Sequence, residues 1–136
     1  MRKVIIATHG NFSKGLKNSL EMIVGESAKE IETYSLYPGE NALDFAKELK
    51  AEVTEHPEVE YVVLGDLFGA SVVNSLIELS EYPNVFLISG VNLNVALEIM
   101  LTPPHTLTEE ILEKIIDHAR EGIKLVKVME TDDDEF

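Results

Sequence analysis

Val4-Ile5-Ile6-Ala7-Thr8-His9-Gly10 is the stretch whose reading decides the fold. Its first four residues are small or β-branched and apolar with no polar alternation, the pattern of a strand covered on both faces. Thr8-His9-Gly10 breaks the run, so a histidine stands where the strand opens into a loop. In an open parallel α/β sheet, the carboxyl ends of the strands are where ligands and chemistry gather. His9 is therefore the first candidate nucleophile.

Outward from this strand the chain alternates helical and extended patterns. Leu16, Leu20, Ile23 and Val24 recur at helical spacing over Phe12–Val24, with Gly25 as C-cap and Asn11 or Ser13 as start. Ile31–Leu36 reads as a short strand ended by the turn residues Tyr37-Pro38-Gly39-Glu40-Asn41. Ala42, Phe45, Ala46, Leu49 and Val53 form a helical stripe closed by His56-Pro57. Tyr61–Leu64 is a second buried run, opening into Gly65-Asp66-Leu67-Phe68-Gly69-Ala70-Ser71. Ser71 stands where a side-chain cap for a helix over Val72–Leu79 belongs. Val85–Ile88 is the next strand, followed by a helix over Val91–Leu101 stopped at Thr102-Pro103-Pro104. A long helix opens at Thr108 and ends at Gly122.

Ile123–Val128 alternates lysines with apolar residues, unlike the earlier strands, and reads as an edge strand. Glu130–Phe136 is almost wholly acidic and reads as a tail. The expected molecule is one domain over residues 1–129 with an acidic tail over 130–136. Its expected fold is flavodoxin-like and doubly wound, a mostly parallel sheet with helices on both faces.

Composition narrows the function classes. The chain has 136 residues and 45% apolar content, enough for one core and too few for two ordinary domains. Cysteine is absent, which excludes disulfides and thiolate metal sites. A net charge of −14 argues against nucleic acid, whose backbone is held by clustered Lys and Arg. The amino terminus lacks signal-peptide features, and no run approaches the ~20 apolar residues of a membrane helix, so a cytoplasmic location is expected.

A histidine attacks phosphorus well when one ring nitrogen keeps its lone pair free. A carboxylate holding the proton on the other nitrogen fixes that tautomer and stabilises the charge that develops on the ring. Asp66, at the end of the next core strand, is the acid placed for this. Ser71 and the backbone N–H groups of Gly69, Ala70 and Ser71 would supply donors to phosphoryl oxygens. No metal or cofactor is required, and no histidine pair has metal-ligand spacing. His56 and His105 read as solvated, and His118 as a favourable cation in a last helical turn.

The ordered set Ala7-Thr8-His9-Gly10, Pro38-Gly39-Glu40-Asn41, Gly65-Asp66-Leu67-Phe68-Gly69-Ala70-Ser71 with Asn74, Gly90-Val91-Asn92 and Ala119-Arg120-Glu121-Gly122 resembles one family. It is the enzyme IIA component of the mannose/fructose/sorbose branch of the bacterial sugar phosphotransferase system. The resemblance implies a carrier that accepts phosphate from the phosphocarrier protein HPr on His9 and donates it to an enzyme IIB partner serving a membrane permease. It also implies that the residue matching Asp66 holds the histidine, and that the serine matching Ser71 lies near the phosphate. A homodimer exchanging the strand that corresponds to Ile123–Val128 is implied as well. Because the chain ends soon after Val128, IIB is expected as a separate polypeptide. The chain departs from the family pattern at Ala70, Val72 and Val73, where Gly, Pro and Phe are usual, and at Asn94, where Pro is usual.

Three other readings share parts of this pattern. A flavin-binding electron carrier has the same expected fold, but the later loops offer no pair of flanking aromatics. The phosphotransferase subunit of a dihydroxyacetone kinase system uses the same histidine position with a kinase subunit as partner. A non-catalytic flavodoxin-like binding module would take up no phosphate on His9.

Overall fold

The computed structural model describes residues 1–128, and the acidic tail over 130–136 lies outside the described residues. Four strands form one parallel sheet in the order β2-β1-β3-β4: β1 Arg2–His9, β2 Glu32–Leu36, β3 Glu60–Gly65 and β4 Val85–Ile88. Five helices accompany them: α1 Phe12–Val24, α2 Ala42–Glu55, α3 Ser71–Leu76, α4 Leu93–Leu101 and α5 Glu109–Glu121.

The unbroken apolar run of β1 is explained by its position between β2 and β3 with cover on both sides. Val4 and Ile6 face a cluster built with Leu16 and Leu20 of α1, Ile99 of α4 and Ile115 of α5. Ile5 and Ala7 face the opposite cluster, with Leu49 and Val53 of α2 and Val72 and Leu76 of α3. Side chains of a strand alternate between faces, so each of the two layers receives every second residue of β1. The expected doubly wound arrangement is present.

The order of the strands reverses between β1 and β3, which places the crevice of the sheet at their carboxyl ends. Their register pairs Ala7 with Gly65, so His9 and Asp66 leave the sheet side by side.

Several boundaries differ from the expectations. Extended pairing in β2 begins at Glu32, with Ile31 buried just before it. The helix expected over Val72–Leu79 divides at Ile77 into α3 and a tighter turn over Ile77–Glu81. Within α3 the Ser75 hydroxyl bonds the Ser71 carbonyl, a back-bond that bends helices. Helix α4 starts at Leu93 because Asn92 caps it, its side-chain oxygen accepting the Val95 N–H at 2.9 Å. Ile123–Val128 forms no strand within the single chain, and Ile123, Leu125, Val126 and Val128 are exposed.

Candidate active site

His9 is the last residue of β1, and the two residues after it turn sharply into α1. Neither Asn11 nor Ser13 caps that helix by its side chain. Thr8, fully buried one residue before the histidine, does so from inside the strand, its hydroxyl accepting the Ser13 N–H at 2.8 Å. Gly10, at φ +56, bends the chain where a β-carbon would be strained, and its N–H donates to the Leu36 carbonyl of β2 at 2.8 Å. The backbone under His9 is thus tied on both sides.

Asp66 follows β3 directly. Its Oδ2 accepts the backbone N–H of His9 at 2.8 Å and lies 2.8 Å from His9 Nδ1, while Oδ1 accepts the Leu67 N–H at 2.8 Å. Burial, the largest single influence, resists ionisation of this carboxyl. The hydrogen bonds from the His9 backbone and ring and from Leu67 outweigh it together and hold the pKa below the usual carboxylate value. An ionised Asp66 can only accept, so Nδ1 is the donor in this contact, and in the neutral ring the lone pair then lies on Nε2. The His9 side chain is 46% exposed and that of Asp66 14%, so the open nitrogen faces solvent from an anchored ring.

Ser71 Oγ lies 3.2 Å from His9 Nε2. The helix-capping role expected of Ser71 is not what the structure shows. Ala70 occupies the cap position, without a side-chain bond, and Ser71 is the first helical residue. A β-carbon there tilts toward the helix amino terminus, which here means toward the imidazole.

The loop over Gly65–Ala70 is shaped by its neighbours. Gly90 and Val91 donate their N–H groups to the carbonyls of Asp66 and Gly65, at 3.1 and 3.0 Å, which gives the Gly90-Val91-Asn92 motif its place. Gly69 adopts φ +89, and its carbonyl accepts the Asn74 side-chain amide at 3.0 Å. The Ala70 N–H already donates to the Leu67 carbonyl at 3.2 Å, so it drops out of the expected set of phosphate donors. The N–H groups of Ser71, Val72 and Val73 lie in a first helical turn and have no intrahelical acceptor.

The other histidines lie away from this constellation. His118 Nδ1 is 3.1 Å from a Glu98 carboxylate oxygen, and His56 Nδ1 is 3.6 Å from Glu58. His105 is not simply solvated. Its Nε2 is 2.6 Å from the Met1 amine, and its backbone N–H donates to Glu60 Oε1 at 3.2 Å.

Sequence reading missed a group beside the histidine loop. The Tyr37 hydroxyl donates to Asn11 Oδ1 at 2.5 Å and accepts from Lys14 Nζ at 3.0 Å. Lys14, helped by Ser35, holds the Tyr37 phenol below the ordinary tyrosine pKa. The available signal was a lysine in a first helical turn, where an acid is the expected charge.

Known proteins share both sequence and shape with this chain. The family described as the fructose IIA component of the phosphotransferase system matches residues 3–116. The sorbose-specific EIIA component of Klebsiella pneumoniae is 32% identical over 111 residues, covering 81% of this chain and 80% of that protein. A phosphotransferase system EIIA structure from Streptococcus agalactiae superposes with a TM-score of 0.74 at 33% identity, covering 91% of this chain and 96% of that one. The mannose/sorbose-specific IIA subunit of Enterococcus faecalis shares the fold with a TM-score of 0.80 at 24% identity, covering 96% and 98%. On this sequence match and shared architecture, the chain belongs to the mannose/fructose/sorbose family of sugar-specific EIIA components of the phosphotransferase system.

Proposed function

We propose that this protein carries a phosphoryl group on His9 Nε2, taken from phospho-HPr and handed to an enzyme IIB partner for sugar uptake. The observation that carries the reading is the 2.8 Å contact of Asp66 Oδ2 with Nδ1, which leaves Nε2 as the open nitrogen beside Ser71 Oγ. In the forward step the Nε2 lone pair attacks phosphorus and the bond from phosphorus to the donor histidine breaks. The donor imidazole leaves with that electron pair. Nδ1 keeps its proton, and the positive character gained by the ring is met by the Asp66 carboxylate. Ser71 supplies a hydroxyl donor, and Gly69 and Ser71 backbone N–H groups, to the phosphoryl oxygens.

The exposed Phe12, Leu67 and Phe68 adjoin the His9 and Asp66 loops in the chain and would form an apolar rim for docking. The dimer belongs to the same reading. Residues Ile123–Val128 leave their apolar side chains in water, while β4 has a bonded neighbour only on its β3 side among the described residues. A groove of about 450 Å³ runs beside β4, lined by Val85, Phe86 and Leu87 and by Leu112 and Ile116 of α5. A second copy's terminal segment would fill this edge and place its apolar residues out of water.

Incubation with phosphoenolpyruvate, enzyme I and HPr tests the function. One acid-labile phosphate per subunit, chased onto IIB, supports it. Absence of label removes it, and a label that moves only onto a dihydroxyacetone kinase subunit assigns a different partner.

A further inference from the structure

Lys14 occupies an unfavourable place for a cation. It is the third residue of α1, where the helix dipole presents its positive end, and that first turn contains no acid. The chain has 25 acidic residues against 11 basic ones, so acids for this position were not scarce. Lys14 is also held in a definite direction. Its Nζ donates to the Tyr37 hydroxyl at 3.0 Å and sits 5.5 Å from the centre of that ring. Tyr37 in turn is fastened to the histidine loop through Asn11 Oδ1 at 2.5 Å.

The Pro38-Gly39-Glu40-Asn41 motif builds the support for this arrangement. Pro38 and Gly39 are the central residues of a turn closed by the Glu40 N–H on the Tyr37 carbonyl at 3.1 Å, with Gly39 at φ +87. The Glu40 carboxylate accepts the Tyr37 N–H at 3.0 Å, and Asn41 caps α2 through the Leu43 N–H. The turn therefore presents a phenol to Asn11, whose Cα is at most about 7.6 Å from that of His9. Lys14 has the phenol oxygen, and no carboxylate, as its partner among the described residues.

We propose that Lys14, aimed by Tyr37 and Asn11, is an electrostatic positioning residue for the phosphoryl group on His9. This rests on the phosphocarrier reading above. The ammonium gives and takes no proton in the transfer, and its charge attracts the phosphoryl oxygens across the histidine loop without touching them. A unit charge about 9 Å from a dianion in a water-like medium changes a rate about threefold to fivefold at 10 mM salt. Near 0.15 M, where the Debye length is about 8 Å, less than a twofold effect remains.

The test measures transfer from saturating phospho-HPr to the full chain at both salt concentrations. Lys14→Gln should slow transfer about threefold to fivefold at low salt, Lys14→Glu by about the square of that, and Lys14→Arg should restore most of the rate. The loss should lie in the transfer rate rather than in the HPr concentration needed for half saturation. Tyr37→Phe should add no further loss to Lys14→Gln, since both act through one contact. Thermal melting supplies the opposite reading: Lys14→Glu removes a cation from a helix amino terminus and should melt no lower than the native chain. Equal rates for the Gln and Glu variants, or losses indifferent to salt, would overturn the role of Lys14 while leaving the carrier function intact. A native chain that takes no label from phospho-HPr would overturn both.

Discussion

Asp66 holds His9 twice with one oxygen: Oδ2 is 2.8 Å from the histidine backbone nitrogen and 2.8 Å from its ring Nδ1. The same atom therefore fixes where the residue leaves the strand and which way its ring turns. Replacing it by an amide should disturb both. Asp66→Asn keeps a side-chain oxygen but loses the charge that meets a positively polarised ring. Transfer from phospho-HPr should fall about 10- to 100-fold, the scale of a lost charge-assisted hydrogen bond, and Asp66→Ala should fall further. Unchanged rates in Asp66→Asn would reduce Asp66 to a loop residue.

The same substitution has a pH signature. The Asp66 pKa is lower in the folded chain than in the unfolded one, so its contribution to stability is present above the unfolded value, about 3.9. It is lost as pH falls through the folded value. Urea midpoints should show the native chain's advantage over Asp66→Asn shrinking below about pH 4. A difference that stays constant from pH 7 to 2.5 would contradict the hydrogen-bonded carboxylate.

His9→Ala should abolish phosphate uptake without unfolding the protein, because the side chain is half exposed and carries no core packing. Mass spectrometry of the phosphorylated chain should locate a single phosphate on His9. A label retained in the variant, or found on His105 or His118, would refute the assignment.

Gly65 touches the site through packing. A β-carbon built on it would lie 2.5 Å from Val73 Cγ2, a side chain of α3 two residues beyond Ser71. Gly65→Ala should destabilise by about 1–3 kcal/mol, as overpacking does. It should also slow transfer by shifting Ser71. Adding Val73→Ala should recover part of the stability, and denaturant unfolding of the double variant measures how much.

Removing the chain from Gly122 onward tests the dimer. If Ile123–Val128 completes a second copy's sheet, the truncated protein should be monomeric or aggregated by light scattering. A dimer of unchanged mass would remove that part of the proposal.

Much of this arrangement was legible because it depends on patterns of one or two elements. The unbroken apolar runs ending at Thr8 and Gly65 located two central strands, and topology then brought His9 and Asp66 to the same crevice. Capping was less legible, because the donor and acceptor are set by tertiary direction. Thr8 reaches forward from inside β1, and Ser71 turns toward the imidazole instead of its own helix. The contact between Tyr37 and Lys14 was missed because the two meet across 23 positions, and Tyr37 reads locally only as a turn residue. The loss of the Ala70 amide from the donor set depended on a turn bond that composition does not announce.

The pairing of Ala7 with Gly65 makes the sheet a ruler for the chemistry. Neighbouring strands can slide only in steps set by their hydrogen-bond ladder, about 3.3 Å per residue. A slip of one position would exchange the two faces of β1 and sink the core, and a slip of two would carry the imidazole about 6.6 Å from its carboxylate. The gap between His9 and Asp66 is thus set by buried valines and isoleucines of the core. Core substitutions in β1 or β3 that relax this alignment should lower the transfer rate before they lower the melting temperature.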